Sequence, residues 1–171
     1  YSGLRIGELC ALQWNDIDFK KNILSVNKTI QRVYIKDKDN NISKVIITTP
    51  KTKNANREIP INKEFLELLK KLKTNGDDYI ITGSHKYLEP RTYRKYFNKV
   101  LKQVKIKQFN FHSLRHTFAT NCISLGVDYK TVSELLGHAN VNITLNLYVH
   151  PRLSQKKKCI DMICKVFQES I

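Results

Sequence analysis

Four histidines, an arginine and two tyrosines crowd into the stretch from His112 to His150. It opens His112-Ser113-Leu114-Arg115-His116, continues through Leu135-Leu136-Gly137-His138, and closes on Tyr148-Val149-His150. Residues three apart on a helix share one face, so His112 and Arg115 are presented together. His138 follows a Leu-Leu-Gly helix stop, and Tyr148 comes ten residues later. Cationic and hydrogen-bonding side chains with one well-spaced phenol suit chemistry on a phosphate, with the tyrosine as nucleophile. His116 and His150 are expected to make local hydrogen bonds, and His85 to sit in a loop. His112 and His116 have i, i+4 spacing, but no Glu lies between them and no third ligand is evident, so no metal site is expected.

These side chains need elements to carry them. Leu4, Ile6, Leu9, Cys10, Leu12 and Trp14 fall at helical spacing, which predicts a helix over 3–14 with Ser2 as its N-cap. From Ile23 the texture turns β-branched and alternating, through Ile23–Val26, Ile30–Ile35 and Val45–Thr49, and a further short strand ends at Arg57-Glu58-Ile59 before Pro60. An antiparallel meander is expected. Asn62 caps a helix through about Leu72, and Pro90 starts another over about 90–104. That helix is basic on its polar face, with Arg91, Arg94, Lys95, Lys99 and Lys102, while Tyr93, Phe97, Val100 and Leu101 point inward. Helices follow at about 113–125, ended by Gly126, at 129–136, ended by Gly137, at 141–148 and at 153–167.

The chain has 171 residues, 41% hydrophobic and 26% charged, which fits one globular domain rather than a disordered segment. Thirty Lys and Arg face fifteen Asp and Glu, a formal net charge of +15. Such an excess favours a polyanionic partner through counterion release, although a genome rich in Lys, Asn and Ile codons also raises it. Cys10, Cys122, Cys159 and Cys164 form neither a C-x-x-C pair nor a disulfide framework, and read as reduced thiols. No apolar run reaches membrane-spanning length. The chain starts without Met and runs straight into a helical pattern, so a fragment lacking an N-terminal portion is expected.

Four stretches then occur in order along nearly the whole chain: Gly3-Leu4-Arg5-Ile6-Gly7-Glu8-Leu9; Pro50-Lys51-Thr52 with Arg57-Glu58-Ile59-Pro60; His112-x-x-Arg115; and Leu136-Gly137-His138 with Tyr148-x-His150. Together they resemble the catalytic domain of the tyrosine recombinases, in the phage and conjugative-transposon integrase branch. The resemblance implies an α+β, mainly α fold, the tyrosine recombinase catalytic-domain fold with a small antiparallel sheet near the N-terminus. It implies a single catalytic domain over 1–171, lacking N-terminal DNA-binding domains and the start of the catalytic domain. It also implies a site-specific DNA recombinase that cuts and rejoins strands through a 3′-phosphotyrosyl intermediate. Double-stranded DNA is the implied partner, with a homotetramer on DNA, a monomer in isolation, no cofactor, and a bacterial cytoplasmic, nucleoid-associated setting.

The residues support roles of that kind. A phosphodiester under attack gains charge on its non-bridging oxygens, and the planar guanidiniums of Arg5 and Arg115 can clamp them. Arg5 also has an i, i+3 partner in Glu8, whose carboxylate is read as orienting Arg or His, or simply as a soluble helix position. His112 and His138 can donate hydrogen bonds or move the proton of the nucleophile. In the resembled family the hairpin near Lys51 and Lys53 carries a general acid; spacing favours Lys51, and contact with the DNA backbone is the alternative for both. Tyr148 is the expected nucleophile, and the other tyrosines are expected to pack on the core. Lys53, Arg57, Arg91, Arg94 and Lys95 are expected to track DNA phosphates, with bracing of the strand as a second possibility for Arg57. The last helix carries Ile160, Ile163, Val166, Phe167 and Ile171, a stripe that docks on a neighbouring subunit or folds back on its own domain. The rival readings are a non-catalytic DNA-binding module and a nicking-closing activity like that of type IB topoisomerases.

Overall fold

Helix α1 is short, Ile6–Ala11, and Arg5 rather than Ser2 is its N-cap. The predicted helix over 3–14 is cut at both ends by packing. Gly3 sits at φ +60°, and a Cβ there would come within 2.7 Å of Phe118 and 2.9 Å of Leu136. The chain must therefore enter the helix through a left-handed residue pressed against later elements. At the other end Leu12 turns extended, and a 3-10 turn at Trp14–Asp16 carries Trp14 into the core at 2% exposure. The computed structural model describes residues 2–36, 41–49 and 53–148, and beyond them positions 153, 157, 160, 161 and 164.

Among the described residues all strand pairing is antiparallel, but a single meander is not what forms. Strands β1 (Ile17–Asp18), β2 (Ile23–Val26) and β5 (Arg57–Pro60) make one sheet in the order β1-β2-β5. Among the described residues, strands β3 (Thr29–Lys36) and β4 (Asn41–Thr48) pair only with each other, from Thr29 opposite Thr48 to Lys36 opposite Asn41. The reason is burial. Leu24, Val26 and Ile59 close over one core, with Leu4, Trp14 and Leu66, whereas the hairpin leaves Tyr34 at 72% and Ile35 at 53% exposure. The core can reward pairing of β2 with β5 and has nothing to offer the hairpin's far end. The hairpin's near end is anchored by Ile30, which packs with Cys10 and Ala11 of α1.

The remaining helices follow the predicted pattern closely. They are α2 (Lys63–Leu72), α3 (Pro90–Gln103), α4 (His112–Ser124), α5 (Tyr129–Leu136) and α6 (Val141–Tyr148). Asn62 caps α2 through its side chain, which accepts from the Phe65 N–H, and Asp128 does the same for α5 at Thr131. Tyr93 and Phe97 of α3 both meet Phe111 edge-on, at centroid separations of 5.6 and 5.3 Å, which fixes α3 against the start of α4. Ala119 of α4 and Val132 and Leu136 of α5 form a second buried cluster, on which Phe118 and Tyr148 also pack. The predicted last helix is seen only as helical positions at 153, 157, 160, 161 and 164; its other residues lie outside those described. The mainly helical α+β class expected from the sequence is the class observed.

Candidate active site

The site is built on the C-terminus of α5. Gly137 takes the left-handed conformation, φ +65° and ψ 46°, and the N–H of His138 bonds back to the Ser133 carbonyl at 3.0 Å. This turn ends the helix and swings His138 out of it, leaving carbonyls that the helix itself cannot satisfy. Side chains from distant parts of the chain take them one after another. Arg57 Nε donates to the Leu135 oxygen at 2.7 Å. Arg115 Nη2 donates to the Leu136 oxygen at 2.5 Å, and Arg5 Nη1 reaches the same oxygen at 3.4 Å. Arg5 Nη2 donates to the Gly137 oxygen at 2.9 Å, and Asn54 spans the His138 and Ala139 oxygens at 3.2 Å each. The carbonyl end of a helix carries partial negative charge, so it is a favourable seat for guanidiniums.

Three arginines side by side repel, and one carboxylate offsets part of that. Glu8 is 3% exposed and accepts from Arg57 at 3.0 and 2.9 Å, from Arg5 Nη1 at 2.8 Å, and from the Arg5 backbone N–H at 2.8 Å. Burial pushes its carboxyl up, but the Arg57 and Arg5 hydrogen bonds outweigh this and hold it below the usual range. Arg115, 2% exposed, is anchored at its other side by the Gly3 carbonyl at 2.8 Å. Burial first, then the neighbouring Arg5 charge, lowers its guanidinium to about 10, so it remains protonated at neutral pH. Three guanidiniums against one carboxylate leave two positive charges in excess at this spot. Arg5, with 39% of its side chain exposed, is the open member of the set.

The histidines add donors without adding charge. Burial and the three arginines bring His138 down to about 4, so its ring is neutral at pH 7. Its Nδ1 shares a hydrogen with the buried Thr144 hydroxyl at 2.8 Å; when the hydroxyl donates, Nε2 keeps its proton and is free to donate in turn. His112 is also lowered, by burial and then by His116, Arg115 and Arg5. Tyr148, the last residue of α6, packs half-buried against the α4–α5 cluster, and burial raises its phenol against the opposing pull of Arg115. Its hydroxyl lies 2.6 Å from His116 Nδ1.

The structure thus brings Arg5, His112, Arg115, His138 and Tyr148 into one electrostatic neighbourhood. Lys51 lies outside the described residues, and of Lys53 only the backbone is described, in a 3-10 turn at Lys53–Ala55. Arg57 corrects an expectation. It is 9% exposed, with its guanidinium given to Glu8 and Leu135, so it braces β5 against α5 instead of tracking DNA at the surface. Arg91, Arg94 and Lys95 are exposed on α3. The other tyrosines are not uniformly core residues either. Tyr93 packs on Cys10 and Ala11, but Tyr34 and Tyr96 are 72% and 61% exposed. His85 sits in a loop, as expected, beside Asp78 at 3.0 Å. Asn54, Thr144 and the α5 carbonyls were not foreseen, and backbone acceptors leave no signal in a sequence. Among the described residues, no group of three or more His, Cys, Asp or Glu could hold a metal, and no helix is long and apolar enough to cross a membrane.

The model of the phage integrase family matches residues 1–155. The tyrosine recombinase XerC-like protein of Caldanaerobacter subterraneus subsp. tengcongensis is 35% identical over 184 aligned positions, covering 97% of this chain and 47% of that protein. The ICEBs1 integrase of Bacillus subtilis is 30% identical, covering 95% of this chain and 45% of its own length. The chain therefore spans about half the length of the curated relatives it matches. Among solved structures, the Tn1549 transposon integrase in complex with transposon right end DNA superposes with a TM-score of 0.69 at 25% identity, over 95% of this chain and 55% of that one. The XerA recombinase superposes at 0.63 and 23% identity, over 95% of this chain and 54% of its own, a likeness of fold. With the family model covering all but the last residues, the chain belongs to the phage integrase family.

Proposed function

We propose that this chain is the catalytic part of a site-specific DNA recombinase of a mobile element or prophage, cutting and rejoining strands through a 3′-phosphotyrosyl intermediate. The observation that carries the reading is the arginine-capped end of α5, which gathers two excess positive charges and whose Arg115 acts on the Tyr148 phenol. A phosphodiester carries one negative charge, and its five-coordinate transition state carries two. A preorganised site with two uncompensated charges favours the second over the first, which is the requirement for catalysis. Arg5 and Arg115 hold the non-bridging oxygens, and His112 and His138 donate hydrogen bonds as neutral rings. Tyr148 attacks phosphorus, and the departing 5′ oxygen takes a proton from Lys51. The phosphotyrosyl bond keeps the energy of the broken ester, so rejoining needs no ATP. Metal plays no part in this reading, and the relatives named as integrases and recombinases support it.

Exposed Arg91, Arg94 and Lys95 on α3, with Lys53, are assigned to phosphates flanking the cut. The protein works as a homotetramer on paired DNA sites and as a monomer when free, at the nucleoid of a bacterial cytoplasm. The test uses nicked suicide duplexes tiled across the DNA flanking the gene. The wild type is expected to become covalently attached to a 3′ phosphate, seen as a shifted band on a denaturing gel. Tyr148→Phe is expected to bind the same duplexes and give no shifted band. An adduct formed by the Phe variant would remove Tyr148 as nucleophile. Binding without any wild-type adduct would turn the reading toward a DNA-binding module. Nicking and closing without strand exchange would turn it toward a topoisomerase-like activity.

A further inference from the structure

We infer that His116 is the general base for Tyr148, taking the phenolic proton as the oxygen attacks phosphorus and returning it when the strand is resealed. The inference rests on the recombinase reading of the site. Its footing is geometric. His116 Nδ1 and the Tyr148 oxygen are 2.6 Å apart, a short hydrogen bond, and the two rings lie 5.5 Å apart at a tilt of 56°. Two different helices, α4 and α6, are needed to make this contact, the partners being 32 positions apart in the chain. The ring packs half-buried against the cluster of Ala119, Val132 and Leu136, which holds the hydroxyl at His116.

The neighbours argue the same way. Tyr148 is neutral at physiological pH, because burial raises its phenol despite the pull of Arg115. A neutral phenol is a weak nucleophile and has to lose its proton as the new bond forms. His138 is committed through Nδ1 to Thr144. His112 meets the edge of the His116 ring, centroids 4.6 Å apart, and so stands one residue further from the phenol. His116 is the ring in direct contact with the reacting oxygen. In the forward step the Tyr148 proton passes to His116 Nδ1, the bond from the phenol oxygen to phosphorus forms, and the bond from phosphorus to the 5′ oxygen breaks. The leaving oxygen takes its proton from the separate general acid. In the reverse step the 5′ hydroxyl returns its proton to that same group, now acting as base, and its oxygen bonds phosphorus; the phosphotyrosyl bond breaks, and His116 gives its proton back to the phenolate.

The experiment measures the rate of covalent adduct formation by the full-length protein on the tiled nicked duplexes. His116→Asn places an oxygen near the position of Nδ1, so it keeps a hydrogen-bond acceptor for Tyr148 but cannot take a proton; His116→Ala removes both. Each is made with tyrosine and with difluorotyrosine at position 148, whose more acidic phenol needs less help. Both variants are expected to slow adduct formation on the order of 100-fold with tyrosine, and to recover most of it with difluorotyrosine. Duplex binding and thermal melting identify a variant that has merely unfolded, and His116→Asn carries the test if the alanine variant does. A wild-type rate for His116→Asn would overturn the inference, reducing His116 to a positioning partner. An equal defect with either phenol would overturn it as well. Absence of an adduct from the wild type on every duplex would instead overturn the recombinase reading, and this inference with it.

Discussion

Glu8 and Arg57 face each other end-on across the site, two carboxylate oxygens to Nη1 and Nη2 at 3.0 and 2.9 Å, both buried. The pair ties α1 to β5, and through Leu135 to the end of α5. It also presents a second face of the carboxylate to Arg5. Burying two charges is costly, so the pair is weak evidence for stability in itself; breaking it is another matter. Arg57→Met would strand Glu8 in the interior with only Arg5 as a partner. It is expected to cost about 3–5 kcal/mol in urea unfolding. Joining it to Glu8→Gln should cost less than the two single changes added together, because the stranded charge is gone. Simple additivity in that double-mutant cycle would show that the two residues act separately.

Gly137 has to be glycine for two reasons that can be separated. Its φ of +65° penalises any side chain, and a Cβ would also fall 2.8 Å from Arg57 Nη1 and 3.0 Å from the Asn54 carbonyl. Gly83 has nearly the same φ, +59°, but its Cβ would meet nothing nearer than 3.9 Å. Gly83→Ala is therefore expected to lose about 1 kcal/mol, the backbone term alone. Gly137→Ala is expected to lose roughly twice that in thermal unfolding, and also to slow DNA cleavage by displacing Arg57. Equal losses at the two glycines would mean that the crowding against Arg57 has no consequence.

The helices and the motif residues were legible in the sequence because both are local. Asn62 announces its helix by capping, Gly126 and Gly137 end theirs, and the His112–Arg115 spacing reports a shared face directly. What escaped was every feature fixed by partners far along the chain. The strand alternation of Ile30–Ile35 is the same whether β3 pairs with β2 or only with β4; the choice is made by the core that Leu24, Val26 and Ile59 share. Arg57 looked like a surface cation, since nothing in its neighbourhood in sequence reveals that Glu8, 49 residues away, is buried beside it. His116 shows the same limit. Its type was visible, but its partner, on a helix two elements later, was not.

The site also sets how stability responds to acid. His138 is held at about 4 when folded, well below the ordinary histidine value of 6.5, and His112 is lowered too. An unfolded histidine therefore takes up a proton before the folded one does, and protonation favours unfolding. Stability should be fully present above about pH 6.5, fall as pH drops toward 4, and fall further as the Glu8 carboxyl, depressed in the folded state, is forced to protonate. For His138 alone the loss is up to about 3 kcal/mol, less whatever solvent screening removes. Urea unfolding at a series of pH values checks this. His138→Asn, which cannot titrate, should flatten the curve between 6.5 and 4; an unchanged slope would assign the effect elsewhere.

In the proposed reaction, the proton for the leaving 5′ oxygen is the remaining chemical requirement. His138 is a poor source, since a ring held near 4 carries no spare proton at neutral pH. Arg115, at about 10, is charged but is committed to the Gly3 and Leu136 carbonyls. A lysine near such a cluster of positive charge would lose its own proton more readily than usual, which suits a general acid. Lys51 is the donor we propose, with Lys53 as the competing candidate two residues on. A duplex with sulfur in place of the bridging 5′ oxygen separates them, because a thiolate departs without being protonated. Lys51→Ala is expected to slow cleavage of the ordinary duplex on the order of 100-fold or more and to cut the sulfur-bridged one at close to the wild-type rate. Lys53→Ala is expected to affect both duplexes alike, through lost contact with the backbone. Rescue of Lys53→Ala in place of Lys51→Ala would exchange the two assignments, and rescue of neither would remove both from proton transfer.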